Sequence, residues 1–250
     1  LFSLSVTITD DGSDNVNNNL SQTKYLSIPL LASQPRLTVS DTDRDGVNDI
    51  TEGYLDDDLD GLPAFIDNSN IPYLQPLHVN AAVVKLMETE PGLQLTLGKY
   101  ARLRFSDGVQ LSEQELLDTL LIPNDSLQHQ NEYFDFEINN IHPFGRSVYV
   151  VIPLQSEIPK YGVYRKFTPD NEWQDFVVDA NNAVASSSDV NGVCPAPHSN
   201  LYTEGLTQGH LCLRLLIEDG GSNDADGIAN GSVDDPGGIA IIANETIAKQ

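Results

Sequence analysis

The sequence has 250 residues, which is enough for one large domain or two small ones with hydrophobic cores of their own. Acidic residues outnumber basic ones by 37 to 13, so the formal net charge is −24. A surface this negative excludes nucleic acid and anionic lipid as partners and attracts cations. Hydrophobic residues make up 40% of the chain, which excludes a disordered acidic tail, and no apolar run has the length of a membrane span.

The N-terminal part, residues 1–40, has the pattern of a β-hairpin. Residues 1–9 (LFSLSVTIT) alternate apolar and polar side chains, a polar turn follows over 10–19, and residues 22–31 (QTKYLSIPLL) resume the strand pattern. The hairpin resembles the last hairpin of immunoglobulin-like repeats in bacterial surface proteins. One hairpin has no core of its own, so we expect it to pack on the rest of the chain or to exchange a strand with a neighbour.

The first acidic loop spans residues 41–52 and has the spacing of a chain that wraps around one hard cation. Gly46 stands at position 6, where the chain bends sharply, and the side chain at position 12 is long enough to chelate with both oxygens. The predicted ligands at positions 1, 3, 5, 7, 9 and 12 are Asp41, Asp43, Asp45, the carbonyl of Val47, Asp49 and Glu52. Calcium is expected here, because magnesium takes fewer protein ligands.

A second loop over residues 56–67 repeats this spacing, with Gly61 at position 6. Its predicted ligands are Asp56, Asp58, Asp60, the carbonyl of Leu62 and Asp67. Position 9 is Ala64, so a water or the neighbouring loop must fill that place, and Asp57 is free to reach across to the first site. The alternative is a solvated acidic linker, whose carboxylates would repel one another without a cation. No long amphipathic helices flank the loops, so this is not an EF-hand pair.

The stretch DTDRDGVNDITEGYLDDDLDGLPAFIDN closely resembles thrombospondin type 3 repeats. The resemblance implies a chain wound around calcium ions, with little hydrophobic core of its own. It assigns one ion to the carboxylates of the first loop and the next ion to those of the second. Residues 41–70 would then be a calcium-stiffened joint between two β elements.

From residue 78 onward the pattern is mainly β. Strands are expected at 78–88, 92–98, 100–105, 133–139, 147–154, 163–168, 173–179, 210–218 and 238–243. The good helix candidate is SEQELLDTLL (112–121), where Ser112 and Glu115 have the spacing of a capping box. Many short strands between Gly, Pro and Asn turns predict an antiparallel β-sandwich or jelly roll over 78–250, with one short helix.

Residues 78–244 resemble the choice-of-anchor U domain of bacterial surface proteins. The resemblance lies in FDFEINNI, SVYVVIPL, VYRKFTP, WQDFVVDANNAVAS, the two cysteines and LLIEDGGSNDADGIANGSVDDPGGIA. This family is defined by its place before cell-surface sorting signals. The resemblance therefore implies an extracellular, bacterial cell-surface location and says little about activity.

A third acidic cluster lies in the last of these segments. Asp224 and Asp226, with Gly227 after them, repeat the D-x-D-G core of the earlier loops. Asn230 and Asp219 are the other predicted ligands of a third calcium ion. The alternative is a polar turn between two strands.

The two cysteines, Cys194 and Cys212, allow two interpretations. With His198 and His210 nearby they have the ligand types of a zinc site. A disulfide is favoured, because an exported protein with two cysteines usually pairs them.

No catalytic motif is found, so we do not expect an enzyme. The sequence predicts a calcium-binding structural or adhesive segment of a microbial surface protein, with calcium and other domains or subunits of that protein as partners. One alternative is a self-assembling filament subunit that uses strand addition. Another is a calcium-dependent module that binds sugar or peptide.

Overall fold

The computed structural model describes residues 2–9, 21–28, 34–78, 83–104, 108–118, 125–168 and 172–241. This part of the chain is mainly β, as predicted. Its strands are β1 (Phe2–Thr9), β2 (Ser21–Ile28), β3 (Leu74–Pro76), β4 (Leu86–Thr89), β5 (Gln94–Leu97), β6 (Gln110–Leu111), β7 (Gln128–Asn139), β8 (Ser147–Pro153), β9 (Gly162–Phe167), β10 (Trp173–Asp175), β11 (Ala183–Ser187), β12 (Thr203–Glu204), β13 (Cys212–Glu218) and β14 (Val233–Ile241). Its helices are α1 (Asp49–Glu52), α2 (Lys99–Arg104) and α3 (Glu113–Asp118), with a 3-10 turn at Ala64–Ile66.

Two six-stranded antiparallel sheets form the body of the fold, which confirms the predicted β-sandwich. One sheet has the order β10-β9-β14-β7-β5, with β6 also paired to β7. The other has the order β12-β11-β13-β8-β4-β3. No helix in the described part of the chain is long and apolar enough to cross a membrane.

The core lies between the sheets and follows the period of two that strand geometry imposes. On β7 the buried side chains Phe134, Phe136 and Ile138 alternate along the strand. Val148, Val150 and Ile152 do the same on β8, in the other sheet. These side chains belong to one continuous cluster, so the two sheets share one core.

The predicted hairpin is present at the N-terminus. β1 and β2 pair antiparallel from Phe2 opposite Ile28 to Thr9 opposite Ser21. They form a two-stranded sheet of their own, while residues 10–19 and 29–31 of the prediction lie outside the described residues. Strand exchange with a neighbour stays a prediction.

The predicted capping box begins helix α3. Ser112 donates from its backbone N–H and its Oγ to Glu115 Oε2, at 2.8 and 2.7 Å, and the Glu115 N–H donates back to Ser112 Oγ at 3.3 Å. Both ends of the motif are therefore satisfied as this motif requires. The last residues of the prediction, 119–121, lie outside the described part.

The strand predicted at 100–105 is wrong, because Lys99–Arg104 is helix α2. Asp135 on β7 accepts hydrogen bonds from the backbone N–H groups of Tyr100 and Ala101, at 2.6 and 2.7 Å. A carboxylate in this place satisfies the free donors that begin a helix. The acceptor comes from another strand, so the local pattern gave no sign of it.

Other predicted strands differ in length. The strand expected at 173–179 ends at Asp175, because Asn223 bonds both backbone groups of Val177 at 2.8 Å and so ends the pairing with β9. The strand expected at 238–243 already begins at Val233 and is described to Ile241. The strand expected at 78–88 begins at Leu86, with residues 79–82 outside the described part. Short strands β3, β6, β11 and β12 were not predicted.

The two cysteines form the disulfide Cys194–Cys212, with a Cα–Cα distance of 5.6 Å. The zinc alternative is therefore wrong. His198 lies near Glu90, with Nε2 3.7 Å from Oε1, and His210 Nδ1 is 3.0 Å from Ser186 Oγ. The disulfide closes a loop between β13 and the segment that follows β11.

Reducing this disulfide should lower the free energy of unfolding by about 3 kcal/mol, because the unfolded chain regains the freedom of a loop of 18 residues. Urea unfolding with and without reductant measures the difference. A Cys194→Ser variant should be as stable as the reduced protein and insensitive to reductant.

Candidate metal centre

The two acidic loops have the same backbone conformation at matching positions. Position 4 is Arg44 in the first loop and Leu59 in the second, with φ of 65° and 64°. Position 6 is Gly46 and Gly61, with φ of 101° and 102°. Only glycine adopts such an angle readily, so both loops need it at the sharp bend. The doubled spacing in the sequence is therefore a doubled turn in the structure.

Three carboxylates of the first loop converge. Asp41, Asp43 and Asp45 each place one oxygen within 4.8 Å of the others. Each also accepts a backbone hydrogen bond inside the loop, at 2.7 to 3.2 Å, from the N–H groups of Gly46, Asp45 and Val47 respectively. These bonds aim the side chains inward. Asp43 is 1% exposed, and its Oδ2 is buried with no hydrogen-bond partner.

Helix α1 brings Glu52 back to this cluster. Its Oε2 is buried and has no hydrogen-bond partner. Burial, followed by the charges of Asp43 and Asp45, raises the pKa of Glu52 to about 7. Burial and the charge of Asp45 likewise raise the pKa of Asp43 to about 6. Positions 1, 3 and 5 of the first loop therefore converge, and their charges act on Glu52 at position 12. The ligand set itself stays a prediction.

Asp49, the predicted ligand at position 9, has another set of contacts. Its Oδ1 accepts from the N–H of Thr42 at 2.9 Å, and its Oδ2 accepts from Thr42 Oγ1 at 3.0 Å. The Asp49 N–H donates to the carbonyl of Ser40 at 2.8 Å. Asp49 thus ties the end of the loop to its beginning, and it is not one of the three converging carboxylates.

The second loop repeats the convergence with Asp56, Asp58 and Asp60. Asp56 accepts from the N–H groups of Asp60 and Gly61, at 3.1 and 3.0 Å. Asp60 Oδ1 accepts from the Leu62 N–H at 2.7 Å, while its Oδ2 is buried without a partner. Both oxygens of Asp58 are also buried without a partner.

The carboxylates of the second loop are buried close together and repel one another. Burial, then the charge of Asp67, raises the pKa of Asp60 from an ordinary value of 3.8 to about 8. Burial, then the charges of Asp58 and Asp43, raises that of Asp67 to about 7. Burial and the charge of Asp56 raise the pKa of Asp58 as well. Because Asp43 belongs to the first loop, the two clusters lie close enough to repel each other.

The second loop is anchored on the sandwich. The Leu97 N–H on β5 donates to the carbonyl of Asp60 at 2.8 Å, and Gln94 Nε2 donates to that of Asp58 at 2.8 Å. Leu62, the position-7 residue, buries its side chain in the shared core of the two sheets, whereas Val47 is exposed. The second loop is therefore packed on the sandwich through Leu62 and these two hydrogen bonds.

Two further residues differ from the prediction. Asn68, which no loop spacing marks, has a buried Oδ1 without a hydrogen-bond partner beside Asp67. Asp57, expected to reach the first site, is exposed and belongs to neither converging group. In the sequence, the signal for Asn68 is an oxygen-bearing side chain directly after position 12 of the second loop.

These groups fit calcium on the chemistry of their donors. They are hard oxygen ligands, several from one chain segment, which is the ligand set that calcium prefers. A buried carboxylate oxygen without a partner is costly, and several such oxygens facing one another are costlier. Within the described residues, these two loops are the groups in which three carboxylates converge.

The third predicted cluster is hydrogen-bonded within itself. Asp219 accepts three backbone hydrogen bonds at 2.8 to 3.0 Å, and Asp224 accepts three at 2.8, 3.0 and 3.5 Å, the longest from the Asp226 N–H. Asp226 accepts from the Ile228 N–H and from Asn230 Nδ2, both at 2.7 Å. The other donors to Asp219 and Asp224 are the N–H groups of Gly145, Asn230, Gly231, Gly220 and Asp234. This arrangement is a bonded turn, and the third calcium site stays a prediction.

Comparison with protein-family models, with curated proteins and with solved structures found no match to this chain. The resemblances to thrombospondin type 3 repeats and to choice-of-anchor U domains therefore stay predictions. The functional proposal therefore rests on the geometry of the two loops.

Proposed function

We propose that this chain is a calcium-binding structural segment of an extracellular surface protein. Two calcium ions would hold the acidic loops, residues 41–67, in one conformation against the β-sandwich. The observation that carries the proposal is the set of buried carboxylate oxygens without partners in Asp43, Glu52, Asp58 and Asp60. Each faces other carboxylates, so a cation between them would turn repulsion into attraction.

In the first site Asp41, Asp43, Asp45 and Glu52 would hold the ion. In the second site Asp56, Asp58, Asp60 and Asp67 would hold it, with Asn68 as a further oxygen beside them. The second site is fixed to β5 through hydrogen bonds from the Leu97 N–H and the Gln94 side chain, so its ion would stabilise the sandwich directly. The first site would then order the chain that leads from the hairpin to the sandwich.

An extracellular location agrees with the disulfide, because such bonds persist in oxidising compartments. Calcium is millimolar there, and extracellular sites have dissociation constants near ~10⁻⁴ M or weaker. At roughly 1–10 mM calcium, a site of ~10⁻⁴ M contributes about 1.4–2.7 kcal/mol to stability. Placement at a microbial cell surface is supported by the choice-of-anchor U resemblance.

Calorimetric titration of the calcium-free chain with calcium tests the proposal. The unaltered chain should bind two ions, and Asp43→Asn and Asp58→Asn should each bind one, because each substitution removes a converging carboxylate. Asp57→Asn removes an equal charge from an exposed position and should still bind two. If Asp43→Asn and Asp58→Asn bind as the unaltered chain does, the loops are not the sites.

A further inference from the structure

A lysine and an aspartate, neither of them part of the acidic loops, meet inside the hydrophobic core. Lys166 on β9 and Asp235 on β14 have side chains that are 1% and 0% exposed. Lys166 Nζ lies 2.6 Å from Asp235 Oδ1. In the sheet Lys166 is opposite Gly237 on β14, two residues beyond Asp235, so the side chains of the pair share the core-facing side.

The surroundings of the pair are built to hold these two groups together. Tyr164 Oη is 3.3 Å from Asp235 Oδ1, and Lys166 Nζ also donates to the carbonyl of Asp234 at 3.3 Å. A Cβ on Gly237 would lie 2.7 Å from Tyr164 Oη and 2.9 Å from Asp235 Oδ1. Glycine at 237 therefore leaves the space in which the hydroxyl and the carboxyl meet.

The ion pair leaves the second carboxyl oxygen of Asp235 without a hydrogen bond. Asp235 Oδ2 is buried and has no hydrogen-bond partner. On β7, Phe136 is opposite Asp235 and Phe134 is opposite Gly237, and both rings are buried. A buried carboxylate with one bare oxygen is poorly solvated, because a buried ion needs all its lone pairs satisfied.

Proton transfer from the ammonium to the carboxylate removes both charges. It leaves a neutral amine and a carboxylic acid in contact, which an apolar core tolerates better than two ions. Burial raises the pKa of Asp235, although the charge of Lys166 lowers it. A neutral amine is a nucleophile, and the carbon of an uncharged carboxyl group is an electrophile.

We propose that Lys166 Nζ and Asp235 Cγ join in an intramolecular amide bond that cross-links β9 to β14. The lone pair of the amine attacks Cγ and forms the N–C bond. The proton that the ammonium gave up lies on Oδ1, the oxygen that Nζ contacts. A second proton moves from the nitrogen to this Oδ1 hydroxyl, which leaves as water when the Cγ–Oδ1 bond breaks. The carbonyl forms at Oδ2, the nitrogen keeps one hydrogen, and no oxidant or other reactant is needed.

Three features of the site favour this reaction over the resting pair. Because Oδ1 is about 1.2 Å from Cγ, Nζ lies at most about 3.8 Å from the carbon it attacks, close to the ~3–3.5 Å of near-attack geometry. Tyr164 donates to Oδ1, the oxygen that departs as water, and this hydrogen bond assists the departure. Burial raises the pKa of Tyr164 well above its ordinary range, so its hydroxyl keeps the proton that it donates.

The cross-link would connect β9 with β14, a central strand that also pairs with β7. Separating these strands would then require breaking a covalent bond as well as a ladder of hydrogen bonds. This inference is independent of the proposed calcium sites, because none of its groups belongs to residues 41–67.

The mass of the intact, denatured and disulfide-reduced chain tests the cross-link. The unaltered chain should be lighter by one water molecule than its sequence requires. Lys166→Arg should have the full sequence mass, because a guanidinium keeps the charge and does not attack a carboxyl carbon. Water could also be lost elsewhere in the chain, for example at Asp45-Gly46 or Asp60-Gly61. Such a loss would persist in Lys166→Arg, so this control distinguishes it from the cross-link.

Tryptic digestion of the unaltered chain locates the bond and does not depend on any variant folding. A branched peptide that contains both Lys166 and Asp235 is the expected product, with no cleavage after Lys166. Tyr164→Phe should slow formation of this peptide by roughly tenfold or more during refolding, because it removes the donor to Oδ1. Linear peptides alone and the full sequence mass would mean that Lys166 and Asp235 stay an ordinary ion pair, and would overturn the proposal.

Discussion

Removing calcium with a chelator should lower the melting temperature of this protein by roughly 10 °C. Two sites that each contribute about 1.4–2.7 kcal/mol in millimolar calcium give about 3–5 kcal/mol in total. In a chain of this size each kcal/mol corresponds to about 2–4 °C. The effect is large because the second loop packs on the sandwich: Leu62 lies in the shared core, and the Asp60 carbonyl accepts a hydrogen bond from the Leu97 N–H. If the loop loosens, part of the core is therefore exposed.

Scanning calorimetry in calcium, in chelator and in chelator with excess magnesium makes this measurement specific. Magnesium should restore little of the lost stability, because it prefers octahedral sites in which it keeps several waters. A melting temperature that is equal with calcium and with chelator would show that the loops gain nothing from calcium.

The substitution Asp60→Asn should have opposite effects on stability with and without calcium. In calcium it removes a ligand of the second ion, so the variant should lose about 1.4–2.7 kcal/mol. In chelator it replaces a buried carboxylate, which Asp67 and Asp58 repel, with a neutral amide of the same shape. The calcium-free variant should therefore melt at a higher temperature than the calcium-free parent.

The pH dependence of the calcium-free protein follows from the same carboxylate. The pKa of Asp60 is about 8 in the folded protein and 3.8 ordinarily, so between these values the folded state holds the proton and the unfolded state has lost it. The contribution of Asp60 to stability in chelator is therefore fully present below about pH 4 and is lost as the pH rises toward 8. Asp60→Asn should flatten this fall, while Asp57→Asn, at an exposed position, should leave it unchanged. A parent chain whose stability in chelator rises from pH 5 to pH 8 would contradict the assignment.

The acidic loops were predictable because their information is local. Glycine at positions 46 and 61, and carboxylates at alternate positions before it, determine a turn whose side chains point inward, and the structure has this turn twice. The helix at Ser112 was predictable for the same reason, since both partners of its capping box lie within one turn.

What the sequence did not reveal depends on partners that are distant along the chain. Helix α2 begins where Asp135 of another strand supplies an acceptor, so the local pattern of 100–105 favoured a strand. The pair of Lys166 and Asp235 arises only when β9 and β14 become neighbours, which no motif announces.

The number of calcium ions held by the folded chain tests the central claim most directly. Native mass spectrometry of the whole chain, after equilibration in millimolar calcium and buffer exchange, counts bound ions, and Asp43→Asn and Asp58→Asn assign them to the two loops. We expect two ions on the unaltered chain and one on each variant. A folded chain that carries no calcium under these conditions would contradict the account.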